Sequence, residues 1–173
     1  MATRSEIKAE LERTLAEFEA GVRALSPSEL VDPCTDSEVP GTDRWTPKDH
    51  VAHVIRVEQF FLEVAKRTVD GDPDPIRFSA MGASREEVAD EIHRQNQRHV
   101  EALRSRTLDE VLAELAAARA ATVAFIDALD EAALALPVPG SPWGDGTVGG
   151  MLGRNAAHET NHLKWVQEAL ERA

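Results

Sequence analysis

The stretch Thr46-Pro47-Lys48-Asp49-His50-Val51-Ala52-His53-Val54-Ile55 decides how this chain is read. Threonine, then proline, then an acid three residues after the threonine is a helix start. It supplies a hydroxyl to cap free amides, a ring already fixed at helical φ, and a carboxylate to close the capping box. The helix it opens is expected to run to about Asp70, where Gly71-Asp72-Pro73-Asp74-Pro75 stops it. Val51, Val54, Ile55, Val57, Phe60, Phe61, Val64 and Ala65 give it a broad apolar face. A helix this apolar has to lie against several others.

Those others can be read on either side. Upstream, Glu6 to about Leu25 places Ile7, Leu11, Leu15, Phe18, Val22 and Leu25 on one stripe between Glu, Lys and Arg. Downstream, Ser84-Arg85-Glu86-Glu87 and Thr107-Leu108-Asp109-Glu110 are two more capping boxes, predicting helices to about Leu103 and Leu129. The second carries the cleaner stripe, Leu108, Val111, Leu112, Leu115, Thr122, Ile126 and Leu129. The first, with Val88, Ile92, Asn96, His99 and Leu103, is more polar and reads as an accessory helix. A loop rich in Pro and Gly from Leu136 to Gly146 then leads to Thr147, the cap of a last helix. Apolar residues recur at three and four throughout, with no convincing period-two run, so the chain is expected to be all-α. Residues 1–173 are most economically one domain.

Composition narrows the function. A formal charge of −12 argues for no nucleic acid partner, because phosphate binding uses clustered Lys and Arg. No run is apolar enough to span a membrane, so no membrane partner is expected. A single cysteine, Cys34, allows no internal disulfide, and no secretory leader pattern is present, so a cytoplasmic location is expected.

The last helix carries His158-Glu159-Thr160-Asn161-His162, two imidazoles at a spacing that stacks them one turn apart on one helix face. Such a pair is often only polar surface. Here, however, Met151, Asn155, His158, His162 and Trp165 step by four and three beside the stripe of Leu152, Ala156, Leu163, Val166 and Leu170. Polar groups on or beside an apolar face need partners. His53 shares its own face with Val57, Phe60 and Val64 and points inward too. Three inward imidazoles on two bundle helices are a candidate facial site for divalent Zn, Ni or Fe.

Trp45-Thr46-Pro47-Lys48-Asp49, His53 eight residues after the tryptophan, and a HxxxH preceded by a Pro- and Gly-rich loop carrying Trp143 together resemble the DinB-like superfamily. That group includes the YfiT-like proteins, the thiol-dependent S-transferases and the amino-terminal domain of mycothiol-dependent maleylpyruvate isomerases. Residues Thr107 to Leu115 also resemble the related ClbS/DfsB bundles. The resemblance covers nearly the whole chain. It implies an up-up-down-down four-helix bundle with one accessory helix, a homodimer, and a divalent metal held by His53, His158 and His162. It further implies a small-thiol S-transferase or thiol-dependent isomerase, taking a thiol such as mycothiol or bacillithiol and a small-molecule electrophile. The alternative is a non-enzymatic metal- or ligand-binding protein of stress or resistance type.

Other residues carry smaller expectations. Asn155, one turn before His158, is the candidate catalytic donor. His50 is expected to be a solvated helix-start histidine. Glu159, turned about 100° from His158, is expected to be a surface or outer carboxylate rather than a base. His93 and His99 read as polar surface, Trp45 and Trp143 as packing or loop anchors. Cys34 reads as an inert thiol, and Arg154 as a candidate partner for a thiol's carboxylate.

Overall fold

The computed structural model describes residues 2–82 and 84–172. Its elements are α1 (Arg4–Arg23), α2 (Pro47–Val69), α3 (Phe78–Met81), α4 (Arg85–Leu103), α5 (Leu108–Ala128), α6 (Glu131–Leu134) and α7 (Val148–Leu170). Each of the three expected capping boxes forms: Thr46, Ser84 and Thr107 accept from the amides of Asp49, Glu87 and Glu110, whose side chains return to the cap amide. A fourth, Thr3 with Glu6, starts α1 two residues earlier than the apolar stripe indicated. Among the described residues the only β pairing is two isolated bridges, Thr35 with Trp45 and Pro137 with Thr147, which pin the two long loops.

Helices α1, α2, α5 and α7 form the bundle and α4 packs on the outside of α2. The helix directions follow from the pairings. Lys8 meets Asp127 and Arg23 meets Asp109, so α1 and α5 are antiparallel. His50 meets His162 and His53 meets His158, so α2 and α7 are antiparallel. Ile7 lies against Gly149 and Gly153, Thr14 bonds Glu159 and Gly21 faces Leu163, so α1 and α7 are parallel. Lys48 reaches the carbonyl of Arg106 just ahead of α5, and Glu58 meets Arg119 further along, so α2 and α5 are parallel. In chain order the bundle therefore runs up-down-down-up, which corrects the up-up-down-down order. The reason is α4: Arg56 bonds Gln95 while Lys48 bonds the carbonyl of Arg104, so α4 runs back along α2 and returns the chain to start α5 in the same sense. The accessory helix is the return leg that makes a parallel pair possible.

The core divides into two apolar halves. One gathers Ile7, Leu11, Phe61, Val64, Ile126, Met151 and Leu152; the other gathers Phe18, Val22, Trp45, Val51, Ile55, Leu112 and Leu115. Between them lies a buried ionic layer with one contribution from each bundle helix. Arg119 of α5 makes a two-pronged pair with Glu58 of α2, through Nε at 3.1 Å and Nη2 at 2.9 Å. The same Nη2 is 2.9 Å from Glu159 of α7, whose other oxygen accepts from Thr14 of α1 at 2.8 Å. Arg119 Nη1 also donates to the Leu11 carbonyl. Glu159 is fully buried, which rules out the surface position that was one of its two expected places. Burial pushes its carboxyl up to about 7, against the opposing pull of Arg119.

Candidate histidine site and adjoining cavity

His53 enters from the second turn of α2, and His158 and His162 enter from successive turns of α7. Because the two helices are antiparallel, the early part of one faces the late part of the other. His53 Nε2 lies 3.1 Å from His158 Nε2, which lies 3.0 Å from His162 Nε2. The ligating atoms of all three lie within 4.8 Å of one another.

Burial holds every ring neutral. It pushes His158 down to about 4, with Arg154 adding to the effect, and pushes His53 and His162 well below the usual histidine range, with the neighbouring imidazoles adding theirs. A neutral imidazole has one donor and one acceptor. Hydrogen bonding alone therefore fits the cluster poorly. His158 Nε2 faces two other Nε2 atoms, and the Nδ1 atoms of both His53 and His158 are buried without a hydrogen-bond partner. A tetrahedral cation with bonds near 2.0–2.1 Å separates its nitrogens by roughly 3.3 Å, a few tenths more than the distances observed. The donor set suits such an ion.

The surroundings agree with that fit. His50, buried rather than solvated as expected, places Nδ1 2.7 Å from His162 Nδ1 and Nε2 2.9 Å from Thr35 Oγ1. If His162 Nδ1–H donates to His50, and His50 Nε2–H donates to Thr35, then His162 Nε2 carries a free lone pair. Glu38 lies 3.7 Å from His53 Nδ1 and accepts from Asn96 at 2.9 Å. Metal-bound histidines are typically oriented by such partners on the outer nitrogen. Trp45, buried with its indole N–H donating to Gln97 at 2.9 Å, packs on His53 and edge-on to His50.

A cavity of ≈ 580 Å³ opens on the His53 and His158 side. Trp143, Phe60, Phe61 and Phe78 form its apolar wall, with Trp143 edge-on to Phe60 at 5.6 Å and tilted on Phe61 at 5.3 Å. The loop that carries Trp143 turns at Gly140, whose φ is +74° and where a Cβ would come within 2.6 Å of the Phe78 ring. Arg85, Arg154, Glu38, His93 and Asn96 are among its polar lining. His93 and Asn96 of α4 therefore face the cavity, where plain polar surface was expected. Asn155 lines neither this cavity nor the smaller opening beside His50 and His162. It is buried with its Nδ2 unpartnered. Cys34 is half-buried and its thiol is pushed up by burial, in keeping with an inert cysteine.

A helical bundle with interior histidines from two antiparallel helices, open to an aromatic cavity, defines the class of protein. The profile of the DinB superfamily matches residues 37–166, and the chain belongs to that superfamily. No functionally curated protein sequence matches it at a significant level. Two solved structures share the fold. An uncharacterised protein from Escherichia coli UTI89 is 16% identical, with a TM-score of 0.71 over 98% of this chain and 94% of that one. The colibactin self-resistance protein ClbS, solved in complex with a dsDNA, is 18% identical, with a TM-score of 0.74 over 100% of this chain and 98% of that one.

The ClbS complex corrects the exclusion of nucleic acid drawn from composition. A chain of this same fold was solved with a duplex, so the fold is compatible with DNA. Net charge is a sum over the whole surface, whereas phosphate contacts depend on where individual cations sit. The value of −12 therefore excludes nothing. No helix among the described residues is long and apolar enough to cross a membrane.

Proposed function

We propose that His53, His158 and His162 hold a divalent cation, Zn, Ni or Fe, and that the protein joins a small thiol, of the mycothiol or bacillithiol kind, to an electrophile in the adjoining cavity. It would then be a thiol S-transferase or a thiol-dependent isomerase. The observation that carries this reading is the convergence of three neutral imidazoles on one spot, two of them, His53 and His158, lining an aromatic cavity. A bound divalent ion supplies a lowered pKa to a coordinated thiol, so that the thiolate is available near neutral pH.

The chain's own residues do the rest. Burial keeps the imidazoles unprotonated, so their lone pairs remain available at neutral pH. Thr35 and His50 fix the ring of His162, while Glu38, held by Asn96, sets a carboxylate beside the outer nitrogen of His53. Trp143, Phe60 and Phe61 hold the electrophile and keep water from its reacting carbon. The carbon–sulfur bond forms as the leaving group departs with the bonding pair, and the thiol proton is lost to water. The test is thioether formation from bacillithiol and a chloronitrobenzene. Metal-loaded protein is expected to turn over, while chelator-treated protein and His162→Ala are expected to stay at background; equal rates with and without metal would overturn the reading.

The outer partners give a separate expectation. Thr35→Val removes the acceptor for His50 and should weaken metal binding by about 10–100-fold with no change in helix content, as read by competition with a coloured chelator. Unchanged affinity would mean that His50 does not set the His162 tautomer.

A second reading is supported by the likeness to ClbS, which is named as a self-resistance protein. The same cavity and cation would then sequester a reactive small molecule without turnover. Stoichiometric loss of the electrophile, with no multiple turnovers, is its signature.

A further inference from the structure

Two cations line the cavity beside its histidines. Arg85, at the start of α4, and Arg154, one turn before His158 on α7, both line the cavity, and neither has an ion-pair partner among the described residues. In this chain that stands out. With 31 acidic residues to 19 basic ones, a guanidinium has carboxylates to spare, and most of the others take one. Arg154 and His158 line the same cavity from successive turns of α7. The cavity's one carboxyl, Glu38, is already engaged by Asn96 and lies beside His53.

We propose that the cavity binds a ring-bearing monocarboxylate, its rings against Trp143, Phe60 and Phe61 and its carboxylate on Arg154, with Arg85 at the rim. Aromatic walls supply affinity without direction, and a forked guanidinium supplies the direction. Arg154 and His158 stand one turn apart on the same helix face, so a carboxylate seated on Arg154 lays the rest of the molecule toward the histidines. The proposal rests on the reading above only in making this ligand the electrophilic substrate. The binding itself needs no metal.

The probes are 2-naphthoate and its uncharged amide, titrated calorimetrically into metal-free and Zn-loaded protein. Naphthoate should bind roughly tenfold or more tighter than the amide in both forms, as a charge-assisted pair requires. Arg154→Gln should abolish that preference while leaving the amide's affinity unchanged, and Trp143→Ala should weaken both ligands alike. Equal binding of the two probes, binding of neither, or a preference that survives both Arg154→Gln and Arg85→Gln would overturn the proposal. A preference seen only with Zn would make the carboxylate a metal ligand, which overturns the arginine assignment but leaves the three-histidine reading intact. A preference in protein that takes up no metal at all would do the reverse.

Discussion

Arg119→Met is expected to destabilise the protein by about 3–5 kcal/mol, because it strands buried carboxyls rather than merely removing a contact. Arg119 and Glu58 are 2% and 1% exposed and Glu159 is fully buried, so no water substitutes for the lost guanidinium. With Glu159 pushed up to about 7, it is about half protonated at neutral pH, which lessens the negative charge that Arg119 has to offset. Removing the cation leaves Glu58 with no charge partner and takes one of its donors from the Leu11 carbonyl. Urea unfolding followed by circular dichroism reads the loss. Replacing the whole set, Glu58→Leu with Arg119→Met and Glu159→Leu, should recover most of it, since packed apolar residues often match a buried ion pair. A loss below about 1 kcal/mol in the single variant would class the network with exposed pairs and contradict its burial.

The second large effect is acid instability of the metal-free protein between about pH 6 and pH 4. Burial pushes His50 and His158 down to about 4, and pushes His53 and His162 well below the usual histidine range, while the unfolded chain titrates near 6.5. Above 6.5 both states are neutral at these positions and nothing is gained or lost. Below it the unfolded state takes up protons that the folded state refuses, so stability falls with pH until the folded pKa is reached. Glu159 works against this. Its raised pKa means that the folded state holds a proton the unfolded state has lost between about 4.5 and 7, which favours folding as pH falls through that range. Glu38, raised by burial, acts in the same sense. Four strongly depressed imidazoles outweigh two carboxyls, and a net loss on the order of 5 kcal/mol or more is expected. That is comparable with the whole stability of a domain. Chelator-treated protein should therefore unfold before pH 4, and His50→Gln with His158→Gln should move the midpoint to lower pH. Stability unchanged from pH 7 to pH 4 would mean that water reaches the cluster.

What could be read from the sequence followed periodicity. The capping boxes at Thr46, Ser84 and Thr107 fixed three helix starts to within a residue, because each is a local bond between neighbours. His53, His158 and His162 could be grouped because their helix faces could be read. The ionic layer also left a trace that went unused. On α5 the stripe steps from Leu115 to Thr122 over Arg119, and on α2 from Ile55 to Leu62 over Glu58, charged residues in register with the core. His50 falls three residues before His53, on the same side of the helix, and could have been placed inside by the same reasoning. Thr35 and Glu38 had no such signal, and Trp143 could be read only as a packing or loop anchor. They lie in long loops, where position depends on tertiary contacts such as the Thr35–Trp45 and Pro137–Thr147 bridges. The up-down-down-up order was hidden for a related reason, since helix direction depends on where α4 packs rather than on any local pattern.

Metal content measures most directly whether the three histidines form one cation site. Untagged protein would be assayed by mass spectrometry beside its His53→Ala and His162→Ala variants, with circular dichroism confirming that the variants fold. About one equivalent of Zn, Ni or Fe per chain, absent from both folded variants, is the expected result. No metal in the native protein and none taken up on titration, or full occupancy retained in either variant, would contradict it.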